Sequence, residues 1–263
     1  MKWSFFYPGV ATLLLVCSSP TFSKSTADTS FDPLLKTPGN WFVSLGAGAQ
    51  HPQWHNPMKV NNDSNLPTPY NKDLYSTKNQ SEAVIALFAG RRWQRDNTWF
   101  PAYSFGVHWQ YFFRTHLGKN ITLHSNPAYT KYEYNWDLTA NLLLASTKLN
   151  LFQYGKLSPF ITGGIGSSFN RTSDYKEKAL AGAMPRANPQ FNKFSTSEFA
   201  YQLGVGVDLQ LAPQFIVSVG YNYQDLGQIS SGSGKGVWST QSLNPGSYHS
   251  NELLVSISYL FKQ

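Results

Sequence analysis

Leu253, Val255, Ile257, Tyr259 and Phe261 share one face of the alternating run Asn251–Gln263, and Glu252, Leu254, Ser256, Ser258 and Leu260 occupy the other. Period-two alternation over this length predicts a strand with one apolar face. Counting this run, eight segments show the pattern with β-branched and aromatic enrichment. They are Trp41–Gln50, Ala83–Trp93, Ala102–Arg114, Tyr132–Leu151, Pro159–Arg171, Glu198–Leu211, Gln214–Gly227 and Asn251–Phe261. Their connections alternate in length. Long polar stretches, His51–Glu82, Thr115–Lys131, Thr172–Ser197 and Gln228–Ser250, follow the odd strands up to the seventh. Short ones, Gln94–Pro101, Phe152–Ser158 and Ala212-Pro213, follow the even strands up to the sixth. Loops sorted by side are the asymmetry of a barrel crossing an outer membrane.

The alternation also assigns faces. Strand six sets Phe199, Tyr201, Leu203, Val205, Val207, Leu209 and Leu211 against Ala200, Gln202, Gly204, Gly206, Asp208 and Gln210. Strand seven sets Phe215, Val217, Val219, Tyr221 and Tyr223 against Ser218, Gly220, Asn222 and Gln224. In hydrocarbon the apolar set faces out, because lipid cannot solvate polar groups and closure removes unpaired edges. Strand two, Ala-Val-Ile-Ala-Leu-Phe-Ala-Gly-Arg-Arg-Trp, is apolar on both faces and its register stays open. The fold class expected is all-β: an eight-stranded antiparallel up-and-down transmembrane β-barrel.

The N-terminus refines the compartment. Lys2 precedes the apolar run Val10–Val16, which is too short to span a bilayer, and Thr21-Phe22-Ser23 offers small residues for cleavage. The expected division is residues 1–23 as signal peptide, 24–40 as a periplasmic N-terminal segment and 41–263 as the barrel domain. Lipoprotein processing at Cys17 is the alternative, but Val16 replaces the small residue that it needs. With cleavage at Ser23, Cys17 leaves with the signal, and no disulfide is expected in an oxidising compartment. Composition agrees: 18 Phe, 15 Tyr and 8 Trp stand beside only 13% charged residues. Many of the aromatics gather near strand ends, among them Trp41, Trp93, Trp99, Tyr154, Phe215, Tyr221 and Tyr259. Amphipathic rings there form two belts at headgroup level. The net charge of +7 is scattered rather than striped, which argues against nucleic-acid binding.

Together these features resemble the eight-stranded OmpA-like and opacity-protein (Opa, NspA-type) surface-antigen barrels. The resemblance runs from Trp41 to Phe261 and rests on strand layout, the Trp41–Gly48 and Pro159–Gly166 segments and the closing strand. It implies a bacterial outer-membrane location and a surface role: structural or adhesin-like binding through long loops, with outer-membrane lipid, lipopolysaccharide or host ligands as partners, and a monomer. It departs from the family in Lys262 and Gln263, which follow the terminal aromatic. No length remains for a periplasmic peptidoglycan-binding domain, so that activity is not expected.

Candidate chemistry is thin. His249, Ser250, Asn251 and Glu252 faintly resemble an outer-membrane acyl-hydrolase motif, but adjacent strand residues point to opposite faces, which spoils a His–Ser hydrogen bond. His51 and His55 lack partners for a tetrahedral metal site. No catalytic, cofactor or metal residue is assigned, and the chain is read as a non-enzyme. A small porin-like channel is the alternative function, and a lipid A-modifying acyl hydrolase the distant one. The inward positions carry Arg114, His108, Asn135, Asp137, Asn141, Gln202, Asp208, Asn222 and Glu252 as an expected polar network. An eight-stranded bore is just wide enough to be filled by side chains, so these groups must pair. Arg114 with Asp137, on neighbouring strands, is the pair expected first.

Overall fold

The computed structural model describes residues 39–54, 57–186 and 190–261. The expected signal peptide, the rest of the chain up to residue 38, His55 and the terminal Lys262 and Gln263 lie outside the described residues. Among the described residues, 11 strands form one antiparallel sheet. They are β1 (Asn40–Gln53), β2 (Met58–Asn61), β3 (Lys72–Tyr75), β4 (Glu82–Gln94), β5 (Trp99–His116), β6 (Asn120–Thr122), β7 (Thr130–Phe152), β8 (Leu157–Ala179), β9 (Phe194–Ala212), β10 (Phe215–Ile229) and β11 (Gly246–Leu260).

The eight long strands, β1, β4, β5, β7, β8, β9, β10 and β11, close into a ring in which each pairs with its neighbours in that order and β11 pairs with β1. This is the up-and-down barrel that the alternation predicts. All eight sequence-derived segments fall on these strands, but most strands run further at the end that carries the long loops. β8 continues from Arg171 to Ala179 and β10 from Gly227 to Ile229, so much of what reads as polar loop is barrel wall. The short strands extend that wall: β2 pairs with β3, β3 with β6, and β6 with β7. No helix among the described residues is long and apolar enough to cross a membrane.

The outer face is apolar where strands alternate. Leu45, Ile165, Val205 and Val255 are 62%, 61%, 57% and 50% exposed, values a soluble protein would not carry in one continuous belt. Trp41, Trp99, Tyr154 and Phe215 stand outward at the short-turn end, and Phe113, Phe169, Phe199 and Tyr221 towards the long-loop end. Arg91 caps Trp41 at 4.6 Å from the ring centroid, a cation over an interfacial aromatic. The open register of strand two resolves here. Val84, Ala86, Gly90 and Arg92 are buried and turn inward, whereas Ile85 is exposed to lipid. Gly90 and Gly106 face each other across β4 and β5, where a Cβ on either would run into the other strand's backbone.

Candidate functional site: a filled bore and its latched cap

The bore is filled in layers. Nearest the short turns, Phe42, Ile216 and Leu260 form an apolar cluster with Phe88. Beside it lies an ionic group built by β4, β7, β9 and β10. Lys148 Nζ donates to Asp208 Oδ1 at 2.5 Å and to Ser218 Oγ at 3.0 Å, and Arg92 lies 3.6 Å from Asp208 Oδ2. Asn150 donates to the same carboxylate at 2.9 Å, and Arg92 also donates to Ser104 at 3.1 Å. The Lys148 ammonium also sits 3.9 Å over the Phe160 ring. One carboxylate thus serves two cations, next to a cavity of about 70 Å³, roomy enough for water.

The next layer centres on Glu252. Gln110 and Asn222 donate to its Oε1 at 3.2 and 2.7 Å, and Gln224 donates to Oε2 at 3.4 Å. Gln224 also donates to Gln110 and Gln202, and His108 lies 3.4 Å from the Gln110 amide. On the opposite side of the bore, Leu142 and Leu144 pair with Gln110 and His108 and are fully buried. Above this level the filling turns apolar: Phe112, Leu138, Trp136, Leu226 and Tyr248 belong to one buried cluster that continues into the loops.

Four expected lumen residues therefore need correction. Arg114 and Asn135 are exposed, Asn141 is half-buried on the outward face, and Asp137 lies between inward Trp136 and Leu138, beneath Arg114 and His116. Arg114 Nη1 is 3.3 Å from Asp137 Oδ2 and His116 Nδ1 is 2.5 Å from Oδ1, so Arg114 and Asp137 do meet, but on the outer wall. Two features reverse the inference. A bulge in β5 between Phe112 and Thr115 shifts the alternation just before Arg114. In β7 the run Leu142-Leu143-Leu144 carries no parity, and the inner face there is apolar instead of polar. His108, Gln202, Asp208, Asn222 and Glu252 are buried in the lumen. Arg92 and Lys148 were missed as lumen residues. A single lysine between Leu142–Leu144 and Leu149–Leu151 is the signal that marks the latter.

The long-loop end carries a latch that sequence reading did not anticipate. Arg186, in the connection between β8 and β9, donates to Glu177 from Nε at 2.6 Å and Nη2 at 3.0 Å. It also donates to Asp73 at 3.1 Å and to the Tyr75 hydroxyl at 3.2 Å, both on β3. Its guanidinium stacks over Tyr132 at 4.7 Å and Trp238 at 5.5 Å. One residue thus ties β3, β7, β8 and the β10–β11 connection. Around it Tyr75, Tyr134, Tyr175 and Phe191 pack at centroid separations of 5.2 to 6.1 Å. Burial pushes the Tyr75 phenol up to about 12, so it remains neutral beside the cation. Asp73 further accepts from Asn62 and from the His124 backbone, both at 2.9 Å.

Other motifs do not assemble. His249 faces Tyr223 at 3.0 Å and Asp225 at 3.6 Å, whereas Ser250 Oγ donates to Gln50 at 2.7 Å on the buried side. His51 meets Ser81 at 3.1 Å. No group of three or more His, Cys, Asp or Glu side chains among the described residues is arranged to hold a metal.

The family model described as outer membrane protein beta-barrel domain matches residues 9–261, and the chain belongs to that family. Its place is the bacterial outer membrane. No protein of curated function matches the sequence. Solved structures with a similar fold include Neisserial surface protein A, at 14% identity, 84% of this chain, 97% of that one and a TM-score of 0.44. OprG of Pseudomonas aeruginosa is similar at 11% identity, 86% and 98% coverage and 0.49. Ail, the attachment invasion locus protein of Yersinia pestis, is similar at 13% identity, 86% and 100% coverage and 0.35.

Proposed function

We propose that this protein is a non-conducting surface barrel whose cap is a pre-ordered binding platform for ligands outside the cell. The observation that carries this reading is the Arg186 latch: the loops that rise from the barrel are folded onto one another over an apolar plug. A binding surface that is already ordered avoids the conformational entropy that a floppy loop loses on contact. The filled bore argues against the narrow-pore reading, and the opposed faces of His249 and Ser250 argue against acyl hydrolysis. In a family whose long loops point out of the cell, the cap is the part that meets other surfaces.

Arg186→Ala leaves Asp73 and Glu177, 2% and 8% exposed, without their cation. Breaking a buried pair this way costs about 3–5 kcal/mol, here confined to the cap. Otherwise non-adherent cells displaying the wild-type chain should bind epithelial monolayers several-fold better than cells carrying an empty vector. Cells displaying Arg186→Ala should lose that gain while the barrel keeps its heat-modifiable mobility. Equal adherence of the two proteins, or unit conductance of the wild type in planar bilayers, would overturn the reading.

A further inference from the structure

The outer wall above the lipid belt is strongly asymmetric in charge. On the β5–β7–β8 flank it carries Arg114, Lys131, Arg171, Lys176 and Lys178, with His116 beside them and the acids Glu133 and Asp174 among them, Glu133 paired in register with Lys178. The long-loop halves of β1, β4, β9, β10 and β11 carry no Lys or Arg at all. Register puts two of these cations on one line across the sheet. The β5 bulge sets Phe113 and Arg114 together opposite Thr139, and Thr139 is paired on its other side with Arg171. Two strand spacings, about 10 Å, separate the β5 and β8 positions. Arg114 directly follows the outward, exposed Phe113, and Arg171 is the next outward position after exposed Phe169, so both stand at the upper edge of the apolar belt. Arg171 makes no ion pair among the described residues, and Arg114 is 59% exposed despite its contact with Asp137.

The same flank carries a second, independent feature lower down. An apolar groove of about 510 Å³ opens on the lipid face between Phe105, Ala145, Thr147, Gly163, Ile165 and Phe199. Gly163 is its floor. It points outward in the alternation of β8, between Ile161 and Ile165, where every neighbouring outward position carries a side chain. A Cβ there would meet nothing closer than Leu203 Cδ2 at 3.6 Å, so neither steric crowding nor backbone strain calls for a glycine. Six residues of β7 separate Thr139 from Ala145, about 20 Å along a strand and about 14 Å in depth at a tilt near 45°. That depth matches one leaflet of a hydrocarbon core about 30 Å thick.

We propose that this flank is a seat for one phosphorylated glycolipid of the outer leaflet, its phosphates held by Arg114 and Arg171 and one acyl chain lying in the Gly163 groove. The headgroup clamp and the groove lie one leaflet apart on the same flank, which suits an acylated anion and not a soluble polyanion. Guanidinium forks suit phosphate oxygens, and at the membrane edge their charge is screened less than in free solution. The proposal rests on the outward placement of the long loops. It is independent of the cap's role in adhesion, so either reading can fail alone.

Detergent-refolded barrel titrated with diphosphoryl, hexa-acylated lipid A, with bound lipid counted by native mass spectrometry, tests it. The wild type should retain one lipid per barrel. Arg114→Ser/Arg171→Ser should bind about tenfold or more weakly, from two headgroup cations lost. Gly163→Phe should fill the groove and weaken binding several-fold, and heat-modifiable mobility certifies that each variant is folded. Lipid A stripped of phosphate should bind the wild type as weakly as intact lipid A binds the double variant. Unchanged affinity in the double variant, in Gly163→Phe or with the stripped lipid would overturn the seat. So would tighter binding of heparin, or of a deacylated headgroup, than of the acylated lipid.

Discussion

The two halves of the bore solve the same packing problem with opposite chemistry. Towards the short turns the wall encloses charge: Asp208 between Lys148 and Arg92, with the Ser218 hydroxyl and the Asn150 amide around them. Towards the long loops it encloses Phe112, Leu138, Trp136 and Leu226, all essentially without solvent contact. The ionic half needs every partner present, because a charge stranded inside a barrel has no bulk water to turn to. The apolar half needs volume and tolerates loss in proportion to it. The latch then repeats the ionic solution on top of the apolar one, where the loops have no ladder of their own to hold them. Closure of the bore and order in the cap thus come from one continuous apolar cluster running from barrel into loops.

The largest expected effect comes from the ionic half. Asp208→Ala leaves two buried cations facing each other and should destabilise the barrel by about 3–5 kcal/mol, read as a lowered urea midpoint of the heat-modifiable form. Adding Lys148→Met should recover part of that loss, and strict additivity of the two changes would mean that the ion pair is absent. In the apolar half, Leu142→Ala should cost about 2–5 kcal/mol and still give no conductance, because Phe112 and Leu138 close the bore above it. A channel appearing in that variant would move the seal to the level of Leu142. Outside the bore, Val219→Arg places a cation on a lipid-facing position that is 47% exposed and should cost about 2–4 kcal/mol. Stability equal to wild type there would reverse the assigned faces of β10. The smallest effect belongs to Arg114→Ala. The Arg114 guanidinium is largely solvated, and His116 still covers the buried Asp137, so the loss should stay at about 0–1 kcal/mol. A loss as large as that of Asp208→Ala would return Arg114 to the lumen.

What the sequence by itself determined is the part of the molecule where one physical rule acts on every second residue. Along β9, β10 and β11 lipid lies on one side and a small, polar-lined bore on the other, so Val219, Val255 and Val205 declare their face, as do Asp208, Asn222 and Glu252. Loop lengths declare strand order for the same reason, since an up-and-down chain in a membrane can connect only at its two surfaces. Only the tertiary structure decided the rest. On β7 both faces are apolar, and a bulge on β5 turns Arg114 outward, so local alternation no longer reports the environment. The latch joins Asp73, Glu177 and Arg186, separated in sequence by up to 113 residues, and no local pattern encodes contacts made across the mouth of a closed barrel. The Gly163 groove and the two arginines above it likewise exist only once β5, β7 and β8 lie side by side. Periodicity specifies which side of a strand meets lipid; pairing and closure specify which residues meet one another.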